Sequence, residues 1–195
     1  MIEEILTKLS EFHYLGIFLI SLISNSIPFV GIPYLNFLFA LSPFLSLEDL
    51  LIISLLSALG ASIGKAFIYT IGAGMRLTLS EEKKENLMFF EKIFRRWGIF
   101  AVFLFAASPL PDDILYIPLG IAKYRFTHYF LAVFLGKLVI TGYVLAFGKV
   151  ASGAIKELMG NDLLSLLVFL VLTLIFSVLV IKIDWKKLFE KYYRA

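Results

Sequence analysis

Ser108-Pro109-Leu110-Pro111-Asp112-Asp113 interrupts an otherwise apolar stretch over residues 99–122. Proline lacks an amide donor and its ring collides with the preceding turn, so two prolines one residue apart end a helix rather than bend it. The two aspartates place ionisable groups among apolar neighbours, at a cost of at least about 2.5–3.5 kcal/mol each at the centre of a bilayer. Broken backbone at membrane depth is tolerated only where protein or a water-filled cavity surrounds it. A second interruption, Asn25-Ser26-Ile27-Pro28-Phe29-Val30-Gly31-Ile32-Pro33, lies in the apolar stretch 12–41, which is longer than the roughly 20 residues one crossing needs. Both stretches read as re-entrant helical hairpins. Each enters the bilayer, turns near its middle at Pro28 and Pro33 or at Pro109 and Pro111, and leaves on its own side.

The whole chain agrees with a bilayer setting. Of its 195 residues 60% are hydrophobic and 17% charged, and the mean hydropathy is +0.91. Soluble domains average about 45–50% apolar and 25% charged. One soluble core of this size cannot hide so much apolar side chain. Residues 47–71, 126–148 and 163–181 are long and apolar enough for full crossings. The absence of cysteine excludes a disulfide scaffold and thiol chemistry, and with two histidines no metal site or cofactor is expected. The net charge of +3 does not indicate nucleic acid, because the basic residues flank apolar segments and form no single face. Residues 1–11 lack the basic start and cleavage site of a removable signal and read as an amphipathic surface segment, with Ile2, Ile5, Leu6 and Leu9 on one side.

The hairpins belong to a repeat. Each is followed by a crossing with a Gly-Lys pair, Gly64-Lys65 and Gly136-Lys137, a tyrosine four to six residues on (Tyr69, Tyr143), and a later glycine (Gly72, Gly148). Paired interrupted segments in corresponding halves point to a substrate site at the repeat interface. Gly60 and Gly64 form a GxxxG face that lets another helix approach, and Gly136 has the same use in the second crossing. Most of the 18 Lys and Arg residues fall in 76–98, at Lys123 and Arg125, and in the tail after residue 181, whereas 42–49 holds none. The positive-inside rule makes the three basic regions and the C-terminus cytoplasmic. The assignment closes only if 99–122 is re-entrant, and the two hairpins then open on opposite sides. The fold class is therefore an all-α polytopic membrane protein of the cell membrane. It has two inverted repeats, each a Pro-broken re-entrant hairpin followed by a transmembrane helix, and a C-terminal transmembrane helix. Its parts are the segment 1–11, a membrane domain over 12–150 with hairpins at 12–41 and 99–122, and the C-terminal helix with its basic tail over 151–195.

These motifs resemble the DedA/VTT-domain family, also called the SNARE-associated Golgi protein family. The resemblance spans roughly residues 12–150. It rests on Pro28 and Pro33, the run Gly60, Gly64-Lys65, Tyr69 and Gly72, then Phe103 and Pro109 with Gly120, Phe126 and Phe130, and Gly136. Bacterial members are associated with recycling polyprenyl-phosphate carriers and eukaryotic ones with phospholipid scrambling, so the resemblance implies a lipid transporter or scramblase. The chain departs from the bacterial pattern in sign. That pattern has an acidic residue in the first hairpin, Gly-Asp before the tyrosine, and Arg three residues before and after the second-hairpin proline. Here the corresponding residues are Ser24-Asn25-Ser26, Gly64-Lys65, Ala106 and Asp112.

With that function in view, Lys65 and Lys137, one from each repeat, are candidates to bind a phosphate headgroup. Asp112 and Asp113 open a half-helix after Pro111, pair with lysine when the site is empty, and are candidates for proton uptake during transport. The plainer alternatives are that the aspartates cap a helix and the lysines snorkel to the interface. Asn25 and Ser26 either contact a headgroup or satisfy backbone groups freed by the break. The expected partners are membrane lipids bearing phosphate, with homo-oligomerisation left open. A proton- or ion-coupled carrier of a small soluble solute is the alternative function. No nucleophile–base pair or carboxylate–histidine cluster appears at membrane depth, so an enzyme is not expected.

Overall fold

A computed structural model describes residues 2–28, 34–80, 98–108 and 112–182. All regular structure among them is helical. The elements are α1 (Ile2–Ser26), α2 (Tyr34–Leu41) running into a 3-10 turn (Ser42–Phe44), α3 (Leu47–Met75), α4 (residues 98–106), α5 (Asp113–Ile121), α6 (Phe126–Met159) and α7 (Asp162–Lys182). Pro33, Pro109 and Pro111, the charged segment 81–97 and the tail 183–195 lie outside the described residues. Pro28 sits in the turn that ends α1.

Local chemistry sets the helix ends. Ser46 starts α3 with a capping box: its Oγ accepts from the Asp49 amide at 3.1 Å, and Asp49 Oδ2 accepts from the Ser46 amide at 2.9 Å. Between α5 and α6, Lys123 adopts a left-handed φ of 54°. The Tyr124 amide then donates to Leu119 O at 3.0 Å, closing the last turn of α5. α6 ends at Gly160, at φ 63°.

Two boundaries differ from the hydropathy reading. α1 runs unbroken from Ile2 to Ser26, across the boundary that hydropathy draws at residue 11. α6 continues past residue 148 through Ser152 and Lys156 to Met159. Hydropathy marks where apolar side chains stop, whereas a helix stops where backbone geometry changes, and here that is Gly160.

α3 and α6 form the axis. The stretches Leu47–Thr78 and Phe126–Met159 are long and apolar enough to cross a membrane. They run antiparallel: Tyr129 Oη donates to Lys65 O at 2.7 Å, while Gly142 lies by Ser54. The shorter elements pack on this pair in a fixed register. α1 runs parallel to α3, with Tyr14 Oη donating to Asp49 Oδ1 at 2.5 Å, Ser21 Oγ 2.8 Å from Ser57 Oγ, and Asn25 against Gly64. α1 thus stops about halfway along α3. α2 returns along α6 until Phe39 and Ser42 meet Gly148, and Lys149 Nζ donates to Leu45 O. The first interrupted segment therefore starts and finishes beside the N-terminal end of α3. The second does the reverse. α4 meets Gly136 through Phe103 and Ala106. α5 runs from Asp113, beside Lys65, past Gly72, to Ile121, whose carbonyl accepts from Arg76 Nη1 at 2.8 Å. In both halves the first short helix lies on its own long helix and the second lies on the other half's.

Glycine is required where these backbones touch. A Cβ on Gly136 would fall 2.7 Å from Phe103 O, and one on Gly64 would fall 2.6 Å from Leu22 O. Gly60 meets the Phe18 backbone in the same way. Tyr69 and Tyr143, paired by the sequence repeat, are not structural equivalents. Tyr69 is four residues beyond its lysine and buried, whereas Tyr143 is six beyond and exposed, stacked on Phe147. Two extra residues turn a side chain by about 200° around a helix. The counterpart of Tyr69 is Thr141.

The interior is layered. One apolar cluster contains Ile68, Val102, Tyr116, Leu119, Tyr129 and Val133. The other contains Ile17, Leu38, Ile53, Ala61 and Leu145. Between them, at the level where the two interrupted segments end, lie Lys65, Asp112, Asp113, Lys137 and Thr141, all buried. The outer faces of α3, α6 and α7 expose Leu51, Leu55, Phe67, Leu131, Leu135, Val139, Phe147, Leu167 and Val171. So much outward apolar surface fits a membrane protein.

Candidate functional site: a buried cluster of four charges

The polar layer is built by two long helices and one short one. The close approach at Gly64 and Gly136 brings neighbouring backbone to α3 and α6, and the next residue on each, Lys65 and Lys137, projects into the seam. The start of α5 supplies both acids. Lys65 Nζ lies 2.6 Å from Asp113 Oδ1 and 3.0 Å from Asp112 Oδ1. Lys137 Nζ lies 2.6 Å from Asp112 Oδ2. Asp112 thereby bridges the two lysines, one through each oxygen. The four residues are between 4% and 7% exposed, so neither lysine reaches outward. Asp112 occupies the N-cap position of α5 but makes no capping hydrogen bond, since both its oxygens face ammonium groups. Pairing at these distances offsets the large cost of removing each charge from water, and the cluster as a whole is neutral.

Aromatic residues frame the acidic side. Lys65 Nζ stands 6.0 Å from the Tyr116 ring centroid, within cation–π range. Tyr116 packs edge-on against Tyr129 with centroids 5.2 Å apart, and Tyr129 in turn holds the Lys65 carbonyl. Tyr69 Oη donates to Tyr124 O at 2.5 Å, tying α3 to the turn after α5.

Asn25 and Ser26 are close in level but turned elsewhere. Asn25 Nδ2 donates to Ser21 O at 2.8 Å and Ser26 Oγ to Leu22 O at 2.7 Å. Both bond back to carbonyls one turn earlier on α1.

Three further groups were not singled out in the sequence. Tyr34 Oη, Tyr116 Oη and Thr141 Oγ1 are buried with no hydrogen-bond partner among the described residues. Tyr34 opens α2 within electrostatic reach of Lys137, and Tyr116 stands in the same relation to Asp112 and Asp113. Thr141 is one turn beyond Lys137 on the buried face of α6. Spacing was the available signal: Tyr116 follows Asp112 by four residues, and Thr141 follows Lys137 by four.

The profile of the VTT domain matches residues 32–150. An uncharacterized protein of Methanocaldococcus jannaschii is 26% identical over 145 residues, covering 73% of this chain and 88% of its own length. No solved structure matches.

Proposed function

The chain belongs to the VTT-domain family, whose members are generally membrane proteins proposed as transporters or flippases, and on that premise we propose that it moves a phosphate-bearing lipid between leaflets. The substrate is a phospholipid or a polyprenyl-phosphate carrier, and the protein acts as a transporter or scramblase rather than an enzyme. The observation that carries this reading is the neutral Lys65–Asp113/Asp112–Lys137 cluster at the level where both interrupted segments end. Such a cluster costs too much to bury for packing alone, because apolar residues of the same volume serve a core as well or better.

In this reading α1–α2 and α4–α5 are re-entrant hairpins opening on opposite faces of the membrane, and α3, α6 and α7 cross it. The basic regions lie in the cytoplasm together with the C-terminus. A phosphate oxygen replaces a carboxylate oxygen on a lysine, and the displaced aspartate turns away or takes up a proton. The lysine charge is then never left unpaired while the headgroup passes between the hairpin ends. Membrane lipids are the partners the mechanism needs.

The test is reconstitution in vesicles carrying fluorescent phospholipid or labelled polyprenyl phosphate in one leaflet. The wild type accelerates exchange between leaflets; Asp112→Asn and Lys137→Gln, inserted at normal levels, do not. Uptake of a soluble solute without lipid exchange would reject the lipid reading in favour of a coupled solute carrier.

A further inference from the structure

We propose that Lys137, Tyr34 and Thr141 form the seat for one phosphoryl group, on the side of the cluster facing α2, while Lys65 and Asp113 act as a fixed pair. This deepens the lipid-phosphate reading and rests on it.

The two lysines are not equivalent. An ammonium group has three donors. Lys65 directs two at carboxylates and faces a tyrosine ring as well. Lys137 meets one carboxylate oxygen, that of Asp112. Two hydroxyls that are fully or almost fully buried donate to nothing among the described residues: Thr141 Oγ1, one turn beyond Lys137 on α6, and Tyr34 Oη, at the start of the helix α2 that packs on α6. Burying a hydroxyl without a partner is unfavourable, and such groups in a folded protein need an explanation. Uncommitted donors together with a cation are the chemistry that holds the oxygens of an anion.

The relation between the halves sharpens the point. α2 reaches Gly148 through Phe39, as α5 reaches Gly72 through Ile117. Tyr34, five residues before Phe39, opens the same helix. Thr141 stands where α3 has Tyr69, four residues after the lysine, yet the Tyr69 hydroxyl is bound to Tyr124 O and the Thr141 hydroxyl has no such partner. The lysine of α6 thus has an unpartnered hydroxyl one turn on along its own helix, where the corresponding hydroxyl on α3 is bonded. A phosphoryl group takes the place on Lys137 that an Asp112 oxygen holds when the site is empty.

The experiment is calorimetric titration of the full-length protein in nanodiscs with dihexanoyl phosphatidic acid, inorganic phosphate and, as a neutral control, dihexanoylglycerol. Tyr34→Phe and Thr141→Val remove only the hydroxyls. Each is expected to weaken phosphatidic acid binding by roughly tenfold or more, the size of a hydrogen bond to a charged group. Each is also expected to leave the ligand-free melting temperature unchanged or higher, because an unpaired buried hydroxyl is lost. Unchanged affinity in both variants overturns the seat while leaving the lipid-phosphate reading intact. A lowered ligand-free melting temperature in both also overturns it, since the hydroxyls are then structural. A wild type that binds neither phosphate probe overturns the seat together with the reading beneath it. Equal binding of inorganic phosphate identifies soluble phosphate as the source, and preference for phosphatidic acid identifies a lipid headgroup; the seat stands in either case.

Discussion

Among the described residues Asp112 is the one acid that touches both lysines, and that position makes an unusual prediction: adding a second mutation to Asp112→Asn restores stability. After Asp112→Asn, Lys65 keeps Asp113 at 2.6 Å, but Lys137 loses the carboxylate it contacts. A buried charge stripped of its partner costs about 3–5 kcal/mol. Lys137→Met alone is milder, about 1–3 kcal/mol, because Asp112 retains Lys65 at 3.0 Å. In Asp112→Asn with Lys137→Met the remaining Lys65–Asp113 pair is neutral, and a methionine fills the lysine stem's volume. The double variant should then be more stable than Asp112→Asn by about 2 kcal/mol or more, a coupling within the range seen for residues in contact. Equilibrium unfolding in mixed micelles, or steric trapping in bicelles, measures all four corners of the cycle. If the double variant instead loses the sum of the two single losses, Asp112 and Lys137 do not interact and the bridged cluster is wrong. Lipid exchange should stay absent in the rescued double variant, which separates the role of the pair in folding from its role in transport.

Two further changes have opposite expected signs at chemically similar positions. Gly136→Ala drives a Cβ into Phe103 O and the Ala106 side chain and should destabilise by about 1–3 kcal/mol in the same unfolding assay, whereas Gly153→Ala, with nothing within 4 Å, should stabilise by about 0.5–1 kcal/mol. Lys123→Gly relieves a left-handed backbone at φ 54° in the turn between α5 and α6 and should raise stability by up to about 1 kcal/mol; a loss would show that the lysine side chain matters more there than the backbone.

Some of this structure is legible along the chain and some is not, for physical reasons. Pro28 announces the end of α1 because the lost donor is a local property. Lys65, Lys137, Asp112 and Asp113 stand out because a charge in an apolar run is anomalous whatever surrounds it. Their pairing is not local: Lys65 and Asp113 are 48 residues apart, and only the register of α5 along α3 joins them. Asn25 and Ser26 look like site residues for the same reason as the charged ones, yet short polar side chains at a helix end can bond to their own backbone, and these do. Tyr34 and Thr141 escape notice because a tyrosine or threonine in an apolar segment is ordinary. What distinguishes them is a missing partner, which exists only in three dimensions.

The sign departures from the bacterial pattern gain a meaning from the same geometry. That pattern has an acid after the glycine of the first crossing and a base three residues beyond the second-hairpin proline. This chain has Lys65 and Asp112 at those positions, and the two lie 3.0 Å apart. Both signs are reversed together, so opposite charges still face each other between α3 and the start of α5. Position 65 alone would look like a lost functional acid, and position 112 alone like a lost base. As a pair they retain the feature that folding requires, a neutral contact at the depth where neither charge can reach water. The exchange is not neutral for a ligand. A cation on the crossing is carried by a helix that spans the whole molecule, whereas a cation on the hairpin sits at the end of a half-length element. Moving the positive charge onto α3 and α6 fixes both ammonium groups to the two long helices, and leaves the Asp112 carboxylate at the start of the short helix as the part able to give way when an anion arrives.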